Sequence, residues 1–560
     1  MPQNTQAQRA DIVVIGSGTG LAAALAAHEL GLTVLVIEKT DLIGGSTARS
    51  GGAFWIPANP ILEARGAGDS PERAERYLDN LVAGTSTTAK LHSYVKHGAD
   101  AVRMLERMTR MKFTWAKGYS DYHPEVPGGS AAGRSCECKP FNSSVLGPSR
   151  KHLRPSVMAA PIPMAVTGGD YKWLNLMAKV PARGLAVAGW RAIQGIGGLI
   201  LGRRYVAGGQ ALAAGLYDGA IRAEIPIWVN TELVSLITDK GTVTGVRVRR
   251  DGVEQAVVAT RGVVLAAGGF DHDLEWRRRY QYEALEDWSL GSSGNTGDAI
   301  KAGIAVGGGT ALLDQSWWFP AFAPLPGGSP TVMLAERSLP GSFMVEGHGR
   351  RFVNEATDYM SFGQRVLERE RGGDPVGTMW MIFDQEYRNS YLLGGSVFPR
   401  MPLPKSWYAE GLAVRATSWI ELAQKMGIDG AVLDETAVRF NEAASVGIDD
   451  DFGRGRSAYD RYYGDPTITP NPNLRPLNSA QLYAVKVVLS DLGTCGGLTT
   501  DEHTRVLDVN GAAINGLYAI GNTAANLFGN RYPGAGGTIG PGIVGGYVAA
   551  RHASKETTRS

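Results

Sequence analysis

The chain is 560 residues long with a formal net charge of +2, too long for one simple core, so two or more domains are expected. Hydrophobic residues make up 44% and charged residues 20%, which excludes a disordered chain, and the near-zero charge gives no basis for nucleic-acid binding. Three cysteines, Cys136, Cys138 and Cys495, exclude a disulfide framework, and their spacing offers no metal site.

Met1 to Arg9 is polar and leads straight into a strand, so no secretory signal is expected and a reducing cytoplasm is the expected compartment. Asp11 to Ile15 is a β-branched run that reads as a buried parallel strand. Gly16-Ser17-Gly18-Thr19-Gly20 follows, then Leu21 to Ala27, a strong helix former, and a second strand, Thr33 to Ile37, which Glu38 ends. Glu38 lies twenty residues after Gly18. This is a βαβ dinucleotide fingerprint: pyrophosphate lies on the helix N-terminus, and the acidic residue accepts from ribose hydroxyls. Leu21 stands at the third glycine position, flanked by Gly20 and Ala22, which weakens the expected close packing of helix on strand.

Gly44-Gly45-Ser46-Thr47 and Ser50-Gly51-Gly52 bring glycines and hydroxyls just past the second strand, where their backbone would meet the rest of the cofactor. Residues 70–111 have helical spacing of apolar and charged residues. Residues 115–129 form an aromatic, turn-rich loop that contains Tyr119, Tyr122 and His123. Residues 170–206 interleave Trp173, Trp190, Ile193 and other apolar residues with six lysines and arginines. No uncharged apolar run there reaches the ~20 residues needed to span a bilayer. Such a segment either lies in a membrane interface or packs as a buried helical hairpin.

Residues 226–258 read as strands, and Gly262 to Phe270 as a further buried strand that exits through Ala267, Gly268 and Gly269. Gly294-Asn295-Thr296-Gly297-Asp298 precedes a helix over 299–305. No dinucleotide pattern recurs from about 308 to 482, which marks an inserted second domain. Within it stands Arg351-Phe352-Val353-Asn354-Glu355, with Tyr359 following. Tyr483 to Val488 is expected to resume the cofactor part, followed by Gly521-Asn522 and by Arg531-Tyr532-Pro533-Gly534-Ala535-Gly536-Gly537-Thr538-Ile539-Gly540. These last glycines open a C-terminal helix, whose free N–H groups and dipole favour an oxygen that gains negative charge.

The combination resembles the 3-ketosteroid 1-dehydrogenase family of flavoproteins, within the wider group that includes fumarate reductase flavoproteins. The resemblance rests on the fingerprint through Glu38, on residues 44–52, on Phe54-Trp55-Ile56-Pro57-Ala58-Asn59-Pro60, on the Asn354-Glu355 motif, on residues 491–497 and 521–522, and on residues 532–541. It implies an α/β fold: a discontinuous Rossmann-like FAD-binding domain over residues 1–307 and 483–560, with an inserted α+β catalytic domain over 308–482. Residues 165–206 look like an insertion similar to that of longer members, which are associated with sterols that keep a side chain.

The implied cofactor is FAD, held by Gly16, Ser17, Gly18, Gly20, Glu38 and Lys39, by Gly45, Ser46, Thr47, Ser50, Gly51 and Gly52, by Ala267, Gly268, Asn295 and Asp298, and by Gly521, Asn522, Gly537 and Ile539. The implied reaction removes two hydrogens from carbons 1 and 2 of a 3-keto-4-ene steroid. Tyr532 and the Gly536 N–H would donate to the carbon-3 carbonyl, Tyr359 would take the carbon-2 proton as tyrosinate, and hydride would pass from carbon 1 to flavin N5. A further tyrosine assists the base; Tyr122 is the expected one, with Tyr119 the alternative. A 4-ene (5α) dehydrogenase and a fumarate-reductase-like enzyme share the scaffold. The expected partners are a steroid, an electron acceptor such as a quinone, and a membrane surface, with no nucleic acid and no metal. His123 and His348 lie outside these motifs and are expected to be structural.

Overall fold

The computed structural model describes residues 8–158 and 162–556; the polar end at 557–560 lies outside them. The first βαβ unit forms as its sequence demands. Strand Gln8–Ile15 pairs in parallel with Val34–Ile37, and helix Gly20–Glu29 lies between them in the chain. The strand is apolar at consecutive positions because both its faces are covered. Ile12 and Val14 enter the core under helices Gly20–Glu29, Gly208–Arg222 and Ile539–Lys555, and Val13 and Ile15 enter a second core on the opposite face.

The parallel sheet continues through Val253–Leu265 to Ala513–Ala519 on one side and through Val34–Ile37 to Ile227–Trp228 on the other. The antiparallel strands Thr231–Asp239 and Thr242–Arg250 extend from it. Leu21 does not loosen the packing of the first helix. A Cβ on Gly20 would come within 3.0 Å of both Ala266 Cβ and Val14 Cγ1, so Gly20 provides the close approach one position early.

The second sheet is antiparallel, in the order Thr331–Val332, Ser316–Phe322, Leu482–Thr494, Met379–Asp384, Ser342–Val345. Its central strand corrects one expectation. Tyr483 to Val488 does not resume the cofactor part; it opens the 13-residue strand Leu482–Thr494, which pairs first with Met379–Asp384 and Ala413–Ala416 and then with Ser316–Phe322. A fully buried strand reads as the same apolar run whichever sheet it joins. The helical stretch at 70–111 is two helices, Pro71–Val82 and Thr88–Met108.

The 165–206 segment folds as helices Gly168–Asn175 and Pro181–Ile200. The second is turned opposite to a globular surface helix. Its inward residues are Gly184, Gly195 and Gly198, and a Cβ on Gly195 would meet the Pro163 carbonyl oxygen at 1.6 Å. Its outward residues include Leu185, Trp190, Ile193 and Ile200, the last three 62%, 68% and 80% exposed. Of the two alternatives for this segment, the buried hairpin is not what forms: glycines face the body and the large apolar side chains face out. Among the described residues, no helix is long and apolar enough to cross a membrane.

Candidate functional site

One cavity of about 270 Å³ runs from the first βαβ unit to the second sheet. Every expected cofactor and catalytic residue lines it except Gly20 and Gly537. Gly20 packs helix on strand, as above. Gly537 seats a side chain: its Cβ would come within 2.9 Å of the Tyr532 ring.

The cofactor end fits a dinucleotide. Gly16 has φ +105°, and a Cβ there would meet the Ala266 carbonyl oxygen at 2.3 Å, so only glycine lets the chain turn under the neighbouring strand. Helix Gly20–Glu29 has no side-chain cap; its Leu21 and Ala22 N–H groups turn back onto the Gly18 and Thr19 carbonyls, at 3.3 and 2.9 Å, and its positive end still favours an external anion. The buried Glu38 carboxylate accepts from the Ser17 N–H and hydroxyl, at 3.1 and 2.6 Å, and from the Thr40 N–H and hydroxyl, at 3.0 and 2.9 Å. Its acceptor sites are thus already engaged, and a ribose hydroxyl would have to share them. Lys39 is anchored on Asp298 at 2.8 Å. Asn295 is held between the Ser46 hydroxyl at 2.9 Å and the Asp271 carboxylate at 3.0 Å. Burial and the neighbouring Asp491 push the Asp271 carboxyl up to about 6.

The other end is a box of aromatic rings. The Tyr122 ring meets the edge of Tyr532 at 4.8 Å and of Tyr359 at 5.9 Å. Tyr119 stacks on Tyr462 at 4.5 Å, and Tyr532 packs on Trp317 at 4.9 Å. Three separate chain segments meet here, each tied down. The Tyr122 N–H and the Tyr77 hydroxyl both donate to the Pro533 carbonyl, at 3.0 and 2.8 Å. The Trp55 N–H donates to the Gly536 carbonyl at 3.1 Å. A Cβ on Gly534 would strike the Trp55 ring at 2.4 Å. Trp55 is itself fixed by its Nε1–H bond to Asp121 at 2.9 Å, and Asp121 pairs with the buried Arg134.

Tyr359 is the first residue of helix Tyr359–Arg371, capped by Asp358. The motif before it is a clamp. Glu355 receives Arg351 at 2.8 Å and Arg454 at 3.3 Å, and Asn354 donates to Asp460 at 2.9 Å, which ties the tyrosine-bearing helix Ala458–Tyr462 to the start of the Tyr359 helix.

The two tyrosines differ in their surroundings. The Tyr359 hydroxyl is buried and makes no well-formed hydrogen bond; Tyr119 and Arg337 make only looser polar contacts with it. Burial raises its pKa, and the Arg337 charge opposes that rise. Burial raises Tyr532 to about 12, and polar contacts from Thr538 and the Gly536 backbone lower it in part. A phenol at 12 stays protonated and can donate a hydrogen bond at neutral pH. His123 faces Asp358 at 3.7 Å, on the rim of the box. Arg337, Trp317, Tyr463 and Asp271 also belong to the site, and none of them falls within a motif read from the sequence.

The chain matches the FAD binding domain family model over residues 11–539. It is 41% identical to a 3-oxosteroid 1-dehydrogenase of Mycobacterium tuberculosis, over 97% of this chain and 98% of that one. It is 40% identical to a 3-oxosteroid 1-dehydrogenase of Mycolicibacterium smegmatis, over 97% of both. Among solved structures it resembles a 3-ketosteroid delta1-dehydrogenase from Sterolibacterium denitrificans in complex with 1,4-androstadiene-3,17-dione, with a TM-score of 0.91 and 35% identity over 98% of this chain and 99% of that one.

Proposed function

We propose that this chain, which belongs to the 3-oxosteroid 1-dehydrogenase family of FAD flavoproteins, removes hydrogen from carbons 1 and 2 of a 3-keto-4-ene steroid. The observation that carries the reading is the convergence of Tyr122, Tyr359 and Tyr532 on one cavity that is continuous with the dinucleotide cradle. The Tyr532 hydroxyl and the Gly536 N–H donate to the carbon-3 carbonyl and stabilise the enolate oxygen that develops as carbon 2 loses its proton. Tyr359 takes that proton. Bound FAD supplies the two-electron acceptor for the hydride that leaves carbon 1, and a carbon 1–carbon 2 double bond remains. The assisting hydroxyl is assigned to Tyr119, because Tyr119 makes a polar contact that lowers the Tyr359 pKa. Tyr122 meets Tyr359 and Tyr532 through ring edges and shapes the box. The domain boundary is drawn near residue 495, after the central strand of the second sheet.

The FAD-loaded chain is expected to lose its yellow colour when a 3-keto-4-ene steroid is added without oxygen. NMR should then place the new double bond between carbons 1 and 2. A new bond between carbons 4 and 5 of a saturated substrate would assign the chain to the 4-ene class instead, and persistent colour with every steroid sinks the reading.

The same reading includes a lipid surface as partner and a substrate that keeps its side chain. Trp190, Ile193 and Ile200 face out from helix Pro181–Ile200, with the exposed Arg203 and Arg204 just beyond. An outward Trp with adjacent arginines matches an anionic bilayer interface. Val157 and Met158, in the segment that leads toward this helix, line the cavity. The wild-type chain should sediment with phosphatidylserine vesicles, and the triple variant Trp190→Ser, Ile193→Ser, Ile200→Ser should stay in solution. The variant should also lose any rate gain with a long-side-chain ketosteroid carried in the vesicles. Equal sedimentation of the two rejects the lipid surface. Dimerisation that the variant abolishes would identify a second copy of the chain as the occupant.

A further inference from the structure

The aromatic box holds a cation that makes no ion pair within 4 Å among the described residues. Arg337 is 1% exposed. Its Nη1 donates to the backbone carbonyls of Glu355, at 2.6 Å, and Thr357, and its Nη2 makes a long contact of 3.5 Å with the Tyr459 hydroxyl. Its Nε has no partner. Of the other buried arginines, Arg134, Arg277, Arg351 and Arg454 each sit within 4 Å of a carboxylate, whereas Arg388 and Arg154, away from the box, are held by carbonyl and hydroxyl oxygens. Arg337 has no such ion pair among the described residues. The two carbonyls offset part of the cost of burying this charge, and without a counter-ion beside it the charge favours any anion that forms nearby.

The guanidinium lies 4.8 Å from the centre of the Tyr359 ring and makes a polar contact with its hydroxyl, which has no well-formed hydrogen bond. The peptide bonds converge on the same point. The two carbonyls that hold Arg337 belong to Glu355 and Thr357, so the turn that carries Tyr359 also positions the guanidinium. Tyr359 in turn opens a 13-residue helix, whose positive end favours an anion.

We propose that Arg337 is a positioning residue that supplies the counter-charge for a Tyr359 tyrosinate, so that the base stands ionised in a site otherwise built to suppress ionisation. The inference rests on the reading of Tyr359 as the base. The other groups facing Tyr359 do not supply this charge. Burial raises Tyr119, Tyr122, Tyr459 and Tyr463 as it raises Tyr359, and the Arg337 charge opposes that rise at Tyr359 and at Tyr459. Tyr532 carries no charge. Glu336 and Asp358 oppose a tyrosinate. Glu336 is pushed up by burial and takes hydrogen bonds from the Tyr171 hydroxyl and the Gly394 N–H, both at 3.1 Å. Asp358 is occupied in capping the helix and faces His123. An opposite charge within about 4–6 Å lowers a pKa by about 1–3 units, and this is the displacement that loss of Arg337 should reverse.

The test is the rate of flavin bleaching by steroid, without oxygen, as a function of pH, on the FAD-loaded full chain and on Arg337→Gln, Arg337→Lys and Tyr359→Phe. Removing the cation raises the pKa of the base, so the limb on which the rate climbs with pH moves upward. Arg337→Gln should shift it by about 1–3 units, fall about tenfold in rate per unit at fixed pH below the limb, and recover the wild-type rate at high pH. Arg337→Lys, which keeps the charge but not the two-carbonyl fork, should shift it less and also recover. An unmoved limb in Arg337→Gln, or in either variant a loss equal at every pH, overturns the proposal. If Arg337→Gln does not accumulate with FAD bound, Arg337→Lys decides by the same criterion of recovery at high pH. Wild-type bleaching by Tyr359→Phe would instead remove Tyr359 from the role of base, which separates failure of that reading from failure of this one.

Discussion

Tyr359→Phe is expected to bind FAD as the wild type does and to reduce it with steroid about 10²–10⁴-fold more slowly, the range for losing a positioned general base. The substitution deletes one oxygen that makes no well-formed hydrogen bond, so the packing of the box should survive. The Tyr122 ring edge at 5.9 Å and the Arg337 guanidinium at 4.8 Å from the ring centre both keep the ring as a packing partner. Rapid mixing without oxygen isolates flavin reduction from reoxidation, and the FAD content read from the spectrum checks the fold. A variant within tenfold of the wild type would mean that the carbon-2 proton leaves by another route. Tyr119→Phe should cost less than Tyr359→Phe, since Tyr119 acts through the base.

Tyr532→Phe should lower turnover by about 10²–10³-fold, the usual consequence of losing one oxyanion donor. FAD should stay bound, because the ring that packs on Trp317 at 4.9 Å and covers Gly537 is retained. The hydroxyl serves a different purpose from that of Tyr359. Burial holds it protonated, with a pKa near 12, so it donates to the carbonyl throughout the neutral range, and its loss should lower the rate without moving the pH limb. A pH profile therefore distinguishes the two tyrosines better than their rates do. Loss of the yellow cofactor in Tyr532→Phe would make this stretch mainly structural. The double variant should fall well short of the product of the single losses, since donor and base act in one step.

The cofactor half was legible because its signals are local. A β-branched strand, a glycine turn, a helix former and Glu38 at fixed spacing leave little choice of structure. Leu21 misled only by one position, since Gly20 takes up the close contact. The strand Leu482–Thr494 was misassigned because a largely buried strand does not announce its partners; its pairing is decided by residues 66 to 178 positions away. Helix Pro181–Ile200 could be read as buried or interfacial, and no pattern within it decides. The choice is made by the glycines, which let Pro163 and Tyr205 approach one face and so expose the other. Arg337 was invisible for a plainer reason. A single arginine in a chain with 56 lysines and arginines becomes notable only once its surroundings are seen to lack a carboxylate. The choice between Tyr119 and Tyr122 likewise turns on the direction of a hydroxyl, which spacing in a loop does not encode.

The bonds that join the aromatic loop to the Tyr532 stretch have a consequence for biosynthesis. The Tyr77 hydroxyl and the Pro533 carbonyl are 456 residues apart in the chain. At about 5–20 residues per second, roughly 20–90 s separate the synthesis of the first partner from that of the second. Through that interval Trp55, Tyr77 and Tyr122, all buried in the finished molecule, have no Gly534–Gly536 loop to pack on. The nascent N-terminal half should therefore expose aromatic surface and engage chaperones, and a chain stalled before residue 530 should hold neither a closed steroid box nor a complete flavin cradle.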